Sequence, residues 1–287
     1  MAARRRDTLL FPTPPVVAAH AAIGGKKEGE GPLAACFDAL SADNFFGQSS
    51  WEAAEKELAL QTARLCLKKA QTIPEKVSLV LAGDLQAQCT ASSYAMRELG
   101  IPFAGLFGAC STMAEALGLG AALCSAGMAD GLLAMTSSHF CAAERQFRTP
   151  LSYGAVRTPT AQWTATAAGA CLLRPAGEGV QLCAVTFGRV QDYKIKDINN
   201  MGAAMAPAAA ATLLRYLKDT GSAPEDFDRI YTGDLGHVGS QLLRDLLAAE
   251  GLLLKNHVDC GCILYDAAEQ TVKSGGSGPG CCASVLC

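Results

Sequence analysis

Apolar residues follow two rhythms that alternate along this chain. Short runs dominated by small apolar residues, at Val77 to Ala82, Phe103 to Phe107, Ala129 to Thr136 and Ala165 to Leu173, predict buried strands. Between and beyond them, apolar residues recur at helical spacing in Ala91 to Leu99 and Ser240 to Glu250, which predicts helices with one buried face. Later in the chain Ala184 to Arg189, Phe227 to Thr232 and Cys260 to Tyr265 read as further strands. Ala283 to Cys287 reads as the closing strand, an expectation that leaves little of the fold missing. Such alternation predicts an α/β fold with largely parallel sheets covered by helices.

The pattern repeats. A shift of 150 residues lays Leu65 to Leu85 over Arg215 to Leu235 without a gap. It matches Leu67 with Leu217, Lys68 with Lys218, Pro74 with Pro224, Glu75 with Glu225, and Gly83-Asp84-Leu85 with Gly233-Asp234-Leu235. Each copy reads as an amphipathic helix, a Pro-Glu turn, a short strand and a Gly-Asp turn. The expectation is two duplicated βαβ-rich halves, residues 1–175 and 176–287, stacked with a site where they meet. Asp84 and Asp234 occupy equivalent turns, and helix N-caps are the expected role for both.

Composition narrows the class. With 287 residues, half of them hydrophobic, the chain buries a large core and is not disordered. A net charge of −3 with mixed signs gives no reason to expect nucleic acid, and Arg4-Arg5-Arg6 reads as a solvated tail. Thirteen cysteines without paired CxxC spacing argue against a tetrahedral metal site and for thiols in a reducing, cytoplasmic compartment. Asp7 and the prolines from Pro12 to Pro15 interrupt any signal-peptide core. Between Glu115 and Asp130 lie 14 uncharged residues, short of the roughly 20 that cross a bilayer.

Candidate chemistry centres on Gly105-Leu-Phe-Gly-Ala-Cys110-Ser111, where a strand-like run turns into a long Ala/Gly/Leu helix. A thiol at a helix N-terminus faces unpaired N–H groups, which lower its pKa and attract anions. Cys110 is therefore a nucleophile, the floor of an anion pocket, or a packing cysteine. Ser137, Ser138 and His139 end a buried strand, a usual place for site residues. From His139 to Trp163 the chain carries Arg145, Gln146, Arg148, Arg157 and Gln162; arginine suits carboxylates through its bidentate fork, and Arg148 is the favoured contact. Catalysis by Cys110 would require a base, and the second copy offers Asp234 in the expected turn with His237 three residues on. An aspartate there would raise the thiol's pKa.

A duplicated α/β chain with a cysteine starting its central helix resembles the thiolase superfamily. Further motifs carry the likeness: Glu28-Gly-Glu-Gly-Pro32, Ala82-Gly-Asp-Leu85, Gly108-Ala-Cys-Ser-Thr-Met-Ala-Glu115, Thr136-Ser-Ser-His-Phe140, Pro159-Thr-Ala-Gln-Trp-Thr164, Asn199-Asn-Met-Gly-Ala-Ala-Met-Ala-Pro207 and Gly275-Gly-Ser-Gly278. In order along nearly the whole chain, they resemble the stage V sporulation AD family. The resemblance implies a thiolase-like fold in α-β-α-β-α layers and non-enzymatic binding of dipicolinic acid, pyridine-2,6-dicarboxylate, free or as its calcium chelate. It implies uptake of that compound into the developing spore and its release in germination. The chain would be a homodimer, held peripherally at the spore inner membrane by other stage V sporulation A proteins, with no cofactor. The expected ligand contacts are Cys110, Ser111, Ser137, Ser138, His139, Arg148, Gln162 and Gly276, the last in a glycine loop like the one lining thiolase pockets. The alternative is an acyl-CoA-dependent condensing enzyme of thiolase or ketoacyl-synthase type, using Cys110 and His237.

Overall fold

The computed structural model describes residues 3–147 and 157–287. Its first part contains β1 (Ala3–Arg5), β2 (Thr8–Leu10), β3 (Val16–Gly24), β4 (Ala39–Leu40), α1 (Trp51–Lys69), β5 (Leu79–Gly83), α2 (Thr90–Leu99), β6 (Phe103–Gly105), α3 (Thr112–Ser125), β7 (Leu132–Ser138), α4 (Phe140–Phe147), β8 (Trp163–Thr164) and β9 (Ala167–Arg174). The second part follows with β10 (Val180–Gln181), β11 (Ala184–Thr186), α5 (Met201–Thr220), β12 (Ile230–Thr232), α6 (Gly236–Ala249), β13 (His257–Asp259), α7 (Cys260–Ile263), β14 (Gly276–Ser277) and α8 (Pro279–Leu286).

A seven-stranded sheet, in the order β10-β3-β9-β7-β5-β6 with β4 beside β3, organises the molecule. It is mixed rather than largely parallel. The β5–β6 and β5–β7 pairs are parallel, whereas β9 runs antiparallel to both β3 and β7. The central strands are buried on both faces, so their sequences lack the alternation that would have marked β9's direction. Leu133, Met135 and Leu172 pack beneath α1 and α2, while Leu132, Ala134 and Leu173 pack against α3 and α8. Helices thus cover both faces of this sheet.

The repeat extends further than its identities. In the first copy α1, a Pro-Glu 3-10 turn, β5, the Gly83-Asp84 turn, α2, β6 and α3 follow one another. In the second, α5, the Pro224-Glu225 turn, β12, the Gly233-Asp234 turn, α6, β13 and α8 come in the same order, with α7 and β14 inserted before α8, and β12–β13 is parallel like β5–β6. This corrects two strand expectations. Cys260 to Tyr265 begins as the short helix α7, the strand being His257–Asp259 just before it. Ala283 to Cys287 is no strand either: α8 is the counterpart of α3, with Pro279 opening its first turn after Gly278 at φ 92°. A helix of small residues and cysteines in so short a run carries no readable period. Close approach is what its composition serves, since a Cβ on Gly169 in β9 would lie 2.3 Å from the Ala283 carbonyl oxygen.

Arg4 and Arg5 are in β1, paired with β2, and stay exposed. β11 completes that small sheet antiparallel to β2, and β10 pairs with β3, so strands beyond residue 175 join strands of the first part. Among the described residues, no helix is long and apolar enough to cross a membrane.

Candidate functional site

The helices that start the central layer of each copy, α3 and α8, bring their N-terminal turns together. Cys110 precedes α3 in a 3-10 turn, half-buried, after Ala109 at φ 48°. Opposite it lies Asp234, buried, in the turn after β12. The Asp234 carboxylate accepts the Gly278 N–H at 2.8 Å through Oδ2 and hydrogen-bonds the Cys110 thiol. Gly278 sits just before α8, so three segments converge on two side chains. Cys282 joins them, its thiol donating to the Cys110 carbonyl oxygen at 3.5 Å.

This pairing reverses the charge state expected of Cys110. A helix start was to lower the thiol's pKa; instead burial first, then the Asp234 charge, push it well above its ordinary value. The helix start cannot compensate fully because the 3-10 turn uses its own donors: Ser111 N–H reaches the Gly108 carbonyl at 3.1 Å and Thr112 N–H the Ala109 carbonyl. Burial also raises the Asp234 carboxyl to about 6, against the Cys110 and Gly278 hydrogen bonds, with the nearby Asp259 adding to the rise. The pair is a protonated thiol beside a carboxylate that ionises only near neutrality.

Neither aspartate stands at the N-cap position, which Cys89 holds before α2 and Leu235 before α6, yet Asp84 still caps α2 from outside it. Asp84 Oδ2 accepts the Ser92 N–H at 2.7 Å and its hydroxyl at 2.6 Å, and Oδ1 the Gln86 N–H, tying down the first turn of α2. In the second copy Asp259 takes over, accepting the Leu235 and Gly236 N–H groups at 2.9 and 2.8 Å. Asp234 is thereby released toward Cys110. Asp259 carries no motif, and its equivalent in β6 is Gly105, so the first copy gave no hint of it.

Alternation along β7 separates the two serines. Ser138 faces the Cys110 side, donating to the Ala165 carbonyl at 2.7 Å and accepting the Gly280 N–H at 3.1 Å. Ser137 faces α1, where its hydroxyl meets Glu55 at 3.2 Å. Glu55 is fully buried, and burial with the neighbouring Asp84 charge raises it to about 8. His139 is also occupied: Nε2 donates to the Asn44 carbonyl at 2.8 Å, and Nδ1 accepts the Cys141 N–H at 3.2 Å, which keeps the ring neutral. Burial lowers its pKa. Ser111 is exposed, its hydroxyl turned back to the Gly108 carbonyl.

Gln162 is the expected residue most firmly built into the Asp234 turn. Its Nε2 donates to the Asp234 carbonyl at 2.6 Å and to the Gly276 carbonyl at 3.0 Å, while Oε1 is buried with no donor. Gly276 lies in β14, parallel to β8. Arg157 donates to the Gln162 carbonyl at 2.5 Å, pairs with Glu144 at 2.6 Å and lies against the stacked rings of Phe140 and Trp163. Lys27 sits over the same Trp163 ring at 4.5 Å. Arg145 pairs with Glu52 at 2.9 Å, and Arg148 lies outside the described residues. His237, the candidate base, is exposed, so Asp234 alone of the two faces the thiol. Glu28 turns out to be a clasp between distant segments: it is buried, accepts the Thr166 N–H at 3.0 Å and takes the Tyr265 hydroxyl.

Comparison with known proteins matches this chain to one family. The family model described as Stage V sporulation protein AD matches residues 5–287. The Stage V sporulation protein AD of Bacillus subtilis (strain 168) is 40% identical over 281 residues, covering 98% of this chain and 83% of that protein. Among solved structures, cerulenin-bound OleA of Xanthomonas campestris superposes with a TM-score of 0.65 at 14% identity, over 96% of this chain and 90% of that one. The 3-oxoacyl-[acyl-carrier-protein] synthase III of Aquifex aeolicus VF5 gives 0.60 at 13% identity, over 95% and 89%. These structures share the thiolase-like fold with this chain.

Proposed function

The chain belongs to the Stage V sporulation protein AD family, and from that membership we propose that it binds pyridine-2,6-dicarboxylate without transforming it. Binding would serve uptake of the compound into the developing spore and its release in germination. The observation that carries the non-catalytic reading is the Cys110–Asp234 pair. Acyl transfer needs a thiolate, and burial with a carboxylate against the thiol works against one. A binding site has no such requirement. It needs a shaped, buried floor, for which the turns around Cys110, Gly276, Gly278 and Gln162 are the candidate, and a cation for the ligand's carboxylates, for which Arg148 is the candidate, Arg157 being paired with Glu144. Peripheral attachment to the spore inner membrane through other stage V sporulation A proteins, and a homodimer through the edge strand β6, belong to the same proposal.

A second reading, an acyl-CoA-dependent condensing enzyme, is favoured by one feature: Cys110 follows a residue in the left-handed region at the start of the central helix. Incubation with acetyl- or malonyl-CoA followed by intact-mass measurement separates the two. The binding reading predicts no acyl adduct on Cys110 and protection of that thiol from alkylation by dipicolinate. A stable adduct, lost in Cys110→Ala, would overturn it.

A further inference from the structure

The groups around Asp234 have one property that any anionic ligand at this site must meet. They are Cys110 from the start of α3, Cys281 and Cys282 from α8, Asp259 from the end of β13 and Cys260 from α7. None is a cation. Two N–H or S–H donors reach the Asp234 carboxylate, from Gly278 and Cys110, and neither carries a positive charge. In the same cluster Gln162 spends both amide protons on the Asp234 and Gly276 carbonyls, leaving Oε1 buried as an acceptor without a donor. A buried acceptor in that state favours a ligand that brings a donor to it. The site therefore presents a carboxylate and an amide oxygen, and lacks protons. A doubly ionised ligand has none to give, and placed beside an ionised Asp234 in a low-dielectric pocket it would be repelled.

We infer that the site takes up one proton together with its ligand, and that Asp234 and Gln162 select the singly protonated form of a dicarboxylate. The inference rests on the binding reading above and adds the charge state in which the ligand is held. The balance is simple: ligand dianion, ionised Asp234 and one solvent proton give a complex in which one ligand carboxyl keeps that proton and donates it to the Asp234 carboxylate or to Gln162 Oε1. Cys110 keeps its own proton throughout. Acidification loads such a site and alkalinisation empties it.

The test is calorimetric titration of the full chain with dipicolinate between pH 5 and 8.5, in pairs of buffers that differ in ionisation enthalpy. At pH 7.5 the expected result is uptake of close to one proton per ligand, with affinity falling about tenfold per pH unit. At pH 5, where Asp234 is already protonated, uptake falls toward zero. Asp234→Asn removes both the uptake and the pH dependence. Binding without proton uptake at pH 7.5 overturns this inference alone. No dipicolinate binding at any pH overturns the inference and the reading beneath it together.

Discussion

Cys110 and Asp234 define each other's chemistry. The thiol stays protonated because burial and a carboxylate disfavour its anion, and the carboxylate ionises late because it is buried, with the Asp259 charge adding to the rise. Replacing Asp234 by Asn removes the charge while keeping an acceptor for the Gly278 N–H. Alkylation of Cys110 by iodoacetamide at pH 8, followed peptide by peptide so that exposed Cys36 and Cys183 serve as references, is expected to accelerate about tenfold in Asp234→Asn. Equal rates in both proteins would show that Asp234 does not control the thiol. Sequence reading placed Asp234 where a base would stand and foresaw its effect on the thiol. The same reading expected the helix start to activate Cys110, because the 3-10 turn that satisfies those N–H groups leaves no trace in composition.

At the scale of elements, α1 is joined to the sheet through a buried acid. Glu55 accepts from Ser137 on β7 and from Gln86 Nε2 at 2.8 Å in the loop before α2, while Gln86 Oε1 is left without a donor. A neutral Glu55 suits this cavity, since with the Gln86 amide turned over its O–H would satisfy that oxygen. Its folded pKa, near 8, lies above the ordinary carboxylate value, so the folded state binds a proton that the unfolded chain has already released. The stability from Glu55 is fully present below about pH 4.5 and is lost as pH rises through 8. Thermal melting is therefore expected to weaken between pH 5.5 and 8.5, with a shallower slope in Glu55→Gln; parallel slopes would exclude Glu55 as the source. Packing of α8 gives a second test: Gly169→Ala forces a methyl against the Ala283 carbonyl and should cost about 1–3 kcal/mol in denaturant unfolding. A loss under 0.5 kcal/mol, the range of an indifferent substitution, would mean that α8 is not seated on β9.

These elements also show what the sequence could disclose. The strands β5, β7 and β9 were legible because each is a run of apolar residues buried on both faces. The repeat was legible from its turn prolines and Gly-Asp pairs, yet extending it one element further, from α3 to Pro279-Gly-Cys-Cys, would have identified α8 as a helix. Asp259 was not legible, because capping of α6 by a residue from β13 is a tertiary contact with no local signature.

For the whole molecule, duplication explains where the site is. Two copies of one unit place their central helices side by side, and the turns before those helices face each other with Cys110 from one copy and Gly278 and Asp234 from the other. Neither copy holds the site alone. The edge strand β6 leaves this sheet open, and light scattering at micromolar concentration is expected to give the mass of two chains; the mass of one would remove the dimer from the account.

Calorimetric titration of the purified chain with dipicolinate, beside picolinate and acetyl-CoA, separates ligand binding from catalysis at Cys110. The expected result is saturable binding of dipicolinate, weaker binding of the monocarboxylate, no turnover of the thioester, and loss of affinity in Cys110→Ala. Turnover or stable acylation by acetyl-CoA, with no heat from dipicolinate, would contradict it and return Cys110 to the role of a nucleophile.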